Sequence, residues 1–389
     1  MWQVVMKGNE VSRQQHSNTR ICFFGLYNLP VLAPEYGSYG NGGREVQHTL
    51  LARSLVSRGY HVSMVVGDYG QNDGASWDGI TTYKAFSQRE GIPVLRYIHP
   101  RWTKMWSALR RADADIYFVS AAGMQVGLLA MFCQRYNKKF VFRVALDTDC
   151  DPRNLPVQYA RDKYLYKYGL RRADAILVQS EKQKAMLLAN YGLESRITTS
   201  LLDVPKQDLD LAERDIDVLW VSNIREMKRP LMALDLAERM PTVNFHMVGG
   251  IDHGQPGLYE AVEARAATLP NVTFHGRVAY AEIGKLFDRS RVFLNTSRME
   301  GFPNTYMQSW IRGVPVVGTF NPDGILQGDG LGFPAETVEQ LDQGISSFLN
   351  DEELLLEAGK RCRAYMSKRF DTEKILEPYT QTFQALVEK

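Results

Sequence analysis

The segment Asn295 to Thr319, NTSRMEGFPNTYMQSWIRGVPVVGT, reads as strand end, loop, helix, turn and strand in immediate succession. Arg291 to Leu294 (RVFL) is a short strand-type run, and Asn295, Thr296 and Ser297 end it. Glu300-Gly301-Phe302-Pro303 forms the loop. Pro303 stands where a helix can begin, because proline is tolerated in the first turn. Tyr306 to Ile311 carry the helix, Gly313 stops it, and Pro315 to Val317 open the next strand. A helix that starts beside a glycine at the carboxyl end of a strand offers unpaired N–H groups and a positive dipole end. Both favour an anion such as phosphate. Pro303 has no N–H, so Asn304 and Thr305 are the expected donors.

The same alternation runs through the rest of the chain, whose 389 residues are enough for two hydrophobic cores. In the first half, Arg20 to Leu26 (RICFFGL) is a buried strand, followed by a glycine-rich loop, Tyr27 to Gly43. Arg44 to Arg58 has helical spacing, with Val46, Leu50, Leu51 and Leu55 on one face, and HVSMVV follows Gly59. Asp115–Val119, Lys139–Val144 and Asp174–Gln179 add strands whose unbroken apolar runs suit a parallel sheet covered on both faces. Ser180 is placed to cap the next helix. Leu201 to Arg214 is polar and reads as a linker, after which the pattern restarts. Asp217–Val221 is a strand, Pro230–Arg239 a helix, and Val243–Val248 a strand ending in Gly249-Gly250. Val272–Tyr280 (VTFHGRVAY) is strand and turn, and Val338–Leu349, Glu352–Phe370 and Thr372–Val387 are helices. The expected fold is α/β, with two doubly wound, Rossmann-like domains facing across a cleft. Their expected bounds are 1–205 and 206–370, with 371–389 a closing helix. Gly40 and Gly42 are spaced for G-x-G-x-x-G, but Glu45 replaces the third glycine, which argues against a dinucleotide site.

Formal net charge is +2, too small to point to nucleic acid. Its distribution is uneven. Residues 1–205 hold 26 Lys+Arg against 17 Asp+Glu (+9), and the rest hold 20 against 27 (−7). Either the first half meets something anionic or two solvated surfaces differ by chance. Tyr97–Arg111 (YIHPRWTKMWSALRR) places Trp102, Met105, Trp106 and Leu109 on one helical face flanked by basic residues. That suits an anionic membrane surface or plain packing on a sheet. Gln158–Arg172 is a similar basic and aromatic run, and no RNA-binding motif accompanies either. Cys22, Cys133, Cys150 and Cys362 form no C-x-x-C, as expected of inert thiols in a reducing compartment. No apolar run approaches the ~20 residues of a membrane span. Met1–Arg20 lacks a secretory h-region. The expected location is cytoplasmic, peripheral at the inner face of the cell membrane.

Two strand ends should open onto the cleft, one at Ser120-Ala121-Ala122-Gly123 and one at Asp147, Asp149 and Asp151. Three aspartates in one loop suit a divalent cation, a solvated turn or a rim for ligand hydroxyls, with metal the lowest of the three.

Glu300 and Gln308, with EGFPN and GVPVVGT around them, resemble the E-x7-E signature of the retaining nucleotide-sugar glycosyltransferases of family 4, which have the GT-B fold. The resemblance runs from about Arg20 to the last helix. It implies that Glu300 contacts the donor sugar, while Gly301, Phe302 and the amides of Asn304 and Thr305 hold the diphosphate. Gln308 replaces the family's second Glu at the ribose hydroxyls, where an amide can still accept and donate. Gly42-Gly43-Arg44-Glu45 is similar to the family's GG-x-E loop, which implies close backbone approach to the phosphates at Gly42 and Gly43. In SNIREMKRP, Lys228 matches the family's lysine, but Asn223 stands where an arginine is usual, and Arg225 is a candidate replacement. A fixed cation beside a leaving diphosphate lowers the barrier. Gly249, Arg277 and Val278 fall in donor-side segments, and Ser120, Asp147 and Asp149 on the acceptor side. Many family members carry a His after one of the N-terminal strands; none stands there in this chain. His275 at a strand end reads as a satisfied polar residue.

By resemblance, a sugar passes with retention from a UDP- or GDP-linked donor to a glycan, glycolipid or other hydroxyl acceptor. No metal or further cofactor is implied. Cell-surface polysaccharide or glycoconjugate synthesis is the expected setting, and the last helix is expected to cross back onto the first domain. A GT-B epimerase or a non-catalytic sugar-nucleotide binder would use the same cleft. An RNA- or membrane-binding scaffold would rest on the basic half alone.

Overall fold

The computed structural model describes residues 18–36, 43–87, 90–91, 98–201, 211–251, 255–278, 280–300, 302–369 and 372–388. Gly42, Gly301, most of the expected linker and the start of the Tyr97 run lie outside these residues.

The first sheet comprises β1 (Arg20–Phe24), β2 (His61–Val66), β3 (Ser76–Trp77), β4 (Ile80–Lys84), β5 (Ile116–Ser120), β6 (Lys139–Arg143), β7 (Ala175–Val178) and β8 (Arg196–Ile197). Its order is β3-β4-β2-β1-β5-β6-β7-β8, parallel except for the β3–β4 pair. The second comprises β9 (Ile216–Val221), β10 (Phe245–Val248), β11 (Val272–Phe274), β12 (Ser290–Asn295), β13 (Val316–Gly318) and β14 (Gly332–Pro334). Its order is β11-β10-β9-β12-β13-β14, parallel throughout. The short strands β3, β4, β8 and β14 were not expected from the sequence, because none carries a long apolar run.

Helices cover both sheets. The first half has α1 (Leu29–Leu32), α2 (Gly43–Val56), α3 (Thr103–Ala112), α4 (Met124–Tyr136), α5 (Ala160–Leu170) and α6 (Glu181–Tyr191). The second has α7 (Pro230–Arg239), α8 (Pro256–Ala266), α9 (Tyr280–Asp288), α10 (Asn304–Trp310), α11 (Ile325–Gly328), α12 (Val338–Asn350) and α13 (Glu352–Arg369), and α14 (Thr372–Val387) ends the chain.

The strand period of two decides which layer each side chain enters. In β1, Ile21 and Phe23 face one core layer and Cys22 and Phe24 the other; in β5, Ile116 and Phe118 oppose Tyr117 and Val119 in the same way. Ser180 accepts a hydrogen bond from the Gln183 amide at 3.2 Å and caps α6. Gly313, at φ +65, ends the turn after α10 in the left-handed region that glycine tolerates. α14 lays Ile375, Leu376, Tyr379 and Phe383 into the first sheet's core layer, and Tyr379 Oη donates to the Thr199 carbonyl at 3.2 Å.

The apolar stripe of α3 packs inward. Met105 and Leu109 are buried, and the Trp106 ring meets Phe132 and Tyr136 at 5.2 and 6.1 Å. Lys104 pairs with Glu90 and Arg111 with Asp73. The apolar residues of α3 thus pack toward the core, while Ile98 just ahead of it is 65% exposed. α5 differs, burying Tyr166 but leaving Tyr159 and Tyr164 57% and 69% exposed. Among the described residues no helix is long and apolar enough to cross a membrane. All four cysteines are unpaired and buried, and burial pushes the Cys22 thiol up to about 12.

The chain order of the strands reverses at the centre of each sheet. β1 lies between β2 and β5, and β9 between β10 and β12. Crevices form outside the carboxyl ends of strands at such points.

Candidate functional site

The loops after β9 and β12 are neighbours because their strands pair. The Arg298 amide donates to the Met227 carbonyl at 2.9 Å. Thr296 Oγ1 donates to the Lys228 carbonyl at 2.6 Å, and the buried Trp220 indole donates to the same hydroxyl at 3.0 Å. This stitching brings Lys228 Nζ against Glu300 Oε1, with side-chain exposures of 15% and 14%. Ser297 Oγ donates to the same carboxylate oxygen at 2.7 Å. Glu300 and Lys228 thus form a sheltered ion pair at the mouth of the second sheet.

α10 starts just beyond, behind Pro303. Its first amides, Asn304 and Thr305, have no partner within the helix by the geometry of a helix start. Asn304 Nδ2 donates across the cleft to the Gly43 carbonyl at 3.2 Å, and Asn304 Oδ1 is buried without a partner. The first residues of α2 and α10 are therefore neighbours, so two positive dipole ends lie close together. A Cβ on Gly43 would lie 2.9 Å from Asn304 Nδ2, so the close approach needs glycine or a shifted amide. Gln308 lies one turn further down α10, half-buried, and Phe302 packs at 6.3 Å from the Trp310 ring.

Asn223 and Gly249 lie along the same carboxyl edge. The Ile224 amide donates to the Gly250 carbonyl at 3.0 Å, and the Gly249 amide to the Gly276 carbonyl at 2.8 Å. Arg277 and Val278 follow on that turn. Arg225 is exposed at the start of the β9 loop. The arginine turned inward is Arg229. It donates to the Thr296 carbonyl and to Thr319 Oγ1, both at 2.6 Å, and burial followed by the Arg298 charge depresses its pKa. Arg229 holds the Glu300 loop in place from behind.

On the first half, Ser120 and Asp149 do not rim the cleft as expected. Both are buried at 1% exposure. Ser120 Oγ lies 2.7 Å from His48 Nε2, an α2 residue that burial, then Arg44 and Arg143, hold neutral well below the usual imidazole range. Asp149 Oδ2 accepts from the Ala145 and Leu146 amides at 2.8 and 3.1 Å, so it shapes its own loop. Asp147 is 13% exposed, paired with Lys182 at 2.7 Å and accepting from Gln183 at 3.1 Å. The three aspartates point to different partners, and the described residues contain no group of three His, Cys, Asp or Glu suited to a metal. His246 Nδ1 and His275 Nε2 lie 3.0 Å apart, so His275 is a partnered polar residue.

Residues 41–199 match the family described as Glycosyltransferase Family 4, and residues 215–351 match Glycosyl transferases group 1. The chain belongs to the family 4, group 1 glycosyltransferases. No curated protein matches this glycosyltransferase in sequence. Solved structures share its fold at low identity. The sucrose-phosphate synthase of Thermosynechococcus elongatus superposes with a TM-score of 0.75 at 16% identity, over 95% of this chain and 100% of that one. HepE of Anabaena, in complex with UDP and glucose, gives 0.72 at 16% identity over 95% and 100%. WaaG, a glycosyltransferase involved in lipopolysaccharide biosynthesis, gives 0.66 at 13% over 93% and 98%. Two Rossmann-like domains in the GT-B arrangement are common to them.

Asp149 is expected to make the stability of this glycosyltransferase depend on pH. Burial, against the pull of the Ala145, Leu146 and Ala122 amides, raises its carboxyl to about 6. The native state therefore keeps the proton to higher pH than the unfolded chain does. Stability is therefore expected to fall as pH rises from about 4 to about 6, by no more than ~3 kcal/mol. Asp149→Asn can still accept from both amides but cannot ionise. Its urea midpoint is expected to lack this fall and to exceed the parent's at pH 7.5; parallel pH profiles would contradict the assignment.

Proposed function

We propose that this glycosyltransferase moves a sugar from a nucleotide diphosphosugar, UDP- or GDP-linked, to a carbohydrate hydroxyl with retention at the anomeric carbon. The carrying observation is the Lys228–Glu300 pair, with the N-termini of α10 and α2 in contact nearby. Two positive helix ends and an ammonium group suit a diphosphate. The carboxylate suits the hydroxyls of the attached sugar. UDP is the nucleotide bound to HepE, which shares the fold.

In the proposed reaction the bond from the anomeric carbon to the β-phosphate oxygen breaks. A bond to the acceptor oxygen forms on the same face, and the acceptor proton passes to a phosphate oxygen of the leaving nucleotide. Lys228 and the Asn304 and Thr305 amides take up the charge that grows on the diphosphate. Glu300 orients the sugar, Gln308 reaches the ribose, and Arg229 holds the loop that carries Glu300. Protein groups thus do the charge-neutralising work, so turnover is expected to survive EDTA. Saturating UDP or GDP is expected to raise the unfolding temperature, since ligand at 100 times its Kd adds about 2.7 kcal/mol. No shift with UDP, GDP or ADP would remove the donor site from this cleft.

The acceptor setting is proposed to be cell-surface glycan assembly at the inner face of a membrane. Support comes from α5 and its flanks, where Tyr159, Arg161, Tyr164, Arg171 and Arg172 are exposed. Co-sedimentation with anionic vesicles should weaken with salt and with Arg171→Glu/Arg172→Glu. Equal binding to neutral vesicles would count against it.

A further inference from the structure

A cavity of about 570 Å³ opens between the two halves. Its first wall is the loop 147–155 after β6, with Met186 from α6; its second is Met299, the residue before Glu300. The volume lies in the range of small-ligand sites. The lining chemistry is specific. Asp147 and Asp151 supply carboxylate oxygens, and Thr148 Oγ1 has no hydrogen-bond partner. Asp151 takes one bond per oxygen from neutral groups, the Arg153 amide at 2.9 Å and Asn154 Nδ2 at 2.7 Å. Each of those oxygens can accept another. Leu155, Met186 and Met299 add an apolar surface, and methionine adapts to an irregular neighbour. None of the lining residues is Lys, Arg or His; the nearby cations are Lys182, paired with Asp147 at 2.7 Å, and Arg153, whose charge acts on Asp151.

We propose that this cavity is the acceptor-sugar subsite and that its occupant is a neutral glycoside. The inference rests on the transferase reading above. Hydroxyl groups donate to Asp147 and Asp151, the ring's C–H face lies on the methionines, and uronate or phosphosugar acceptors are disfavoured by like charge. Lys182 pairs directly with Asp147, whereas Arg153 acts on Asp151 only as the weakest of several influences, so Asp151 is the stronger discriminator.

The test uses Met299→Cys in the full chain. Met299 is 39% exposed and all native cysteines are buried, so a maleimide reports on this wall. Labelling is followed with UDP present and with methyl β-D-glucoside or methyl β-D-glucuronide, which differ by one carboxylate. The glucoside is expected to protect with a midpoint at least tenfold lower. Asp151→Asn, and Asp147→Asn/Asp151→Asn, should bring the two midpoints within about threefold. Asp151→Asn alone keeps the test valid if the double variant does not fold. Equal midpoints in the parent, no protection by either sugar, or a ratio unchanged by Asp151→Asn would each overturn the proposal. Thermal shifts with UDP, GDP and ADP on the same protein separate the two readings. A shift without glycoside protection removes only the subsite, whereas no shift removes the donor site.

Discussion

Glu300→Gln is expected to lower kcat by about 100-fold or more while the protein stays folded. The substitution keeps the shape and one acceptor oxygen but removes the charge that pairs with Lys228 and accepts from Ser297. A group that stabilises charge or geometry only in the transition state typically contributes 10²–10³ in kcat. If Glu300 orients the sugar, the loss falls mainly on kcat, and affinity for the free nucleotide changes little, because the nucleotide lacks the sugar. Glutamine with full turnover, tested with the true donor and acceptor, would remove Glu300 from the chemistry.

Lys228→Ala should show the complementary pattern. The ammonium is proposed to sit beside the leaving diphosphate, so kcat drops by about 10²–10³ and the free nucleotide binds more weakly as well. Truncation also leaves Glu300 sheltered without its cation, at a cost of about 1–3 kcal/mol to folding. Activity must therefore be compared below the variant's own unfolding temperature. The two losses should not add in the double variant, because the residues touch and act on one bond. Additive losses would indicate two independent contributions.

The sequence made the architecture around Glu300 legible because local chemistry and global fold agree there. Val292, Phe293 and Leu294 are buried on both faces of the sheet, Pro303 opens a helix, and Gly313 ends the turn in a conformation that glycine tolerates cheaply. The runs at Ile116–Val119 and Phe140–Phe142 announced a covered parallel sheet for the same reason. What sequence reading missed depends on distant partners. Arg229 looked like one more charge before Pro230, but its role comes from Thr296 and Thr319, 67 and 90 positions away. His48 sits on a helix face that is buried, and its partner Ser120 lies 72 positions away. Its signal in the sequence is that it shares the α2 face of Leu51, Ala52 and Leu55. Asp149 and Ser120 were read as cleft residues from their place at strand ends. Strand position says which loop a residue joins, but the amides of Ala145 and Leu146 decide that Asp149 turns inward. Trp102 and Trp106 suited a membrane and a sheet equally well on paper; both pack against the core layer on the first sheet, where Trp106 meets Phe132 of α4.

The most direct measurement is a crystal structure of the chain with UDP or GDP, whichever shifts its melting more. The account predicts the diphosphate within hydrogen-bond distance of the Asn304 or Thr305 amide, with Lys228 Nζ turned from Glu300 toward a phosphate oxygen. A nucleotide ordered elsewhere on the molecule, with Lys228 still on Glu300, would contradict it.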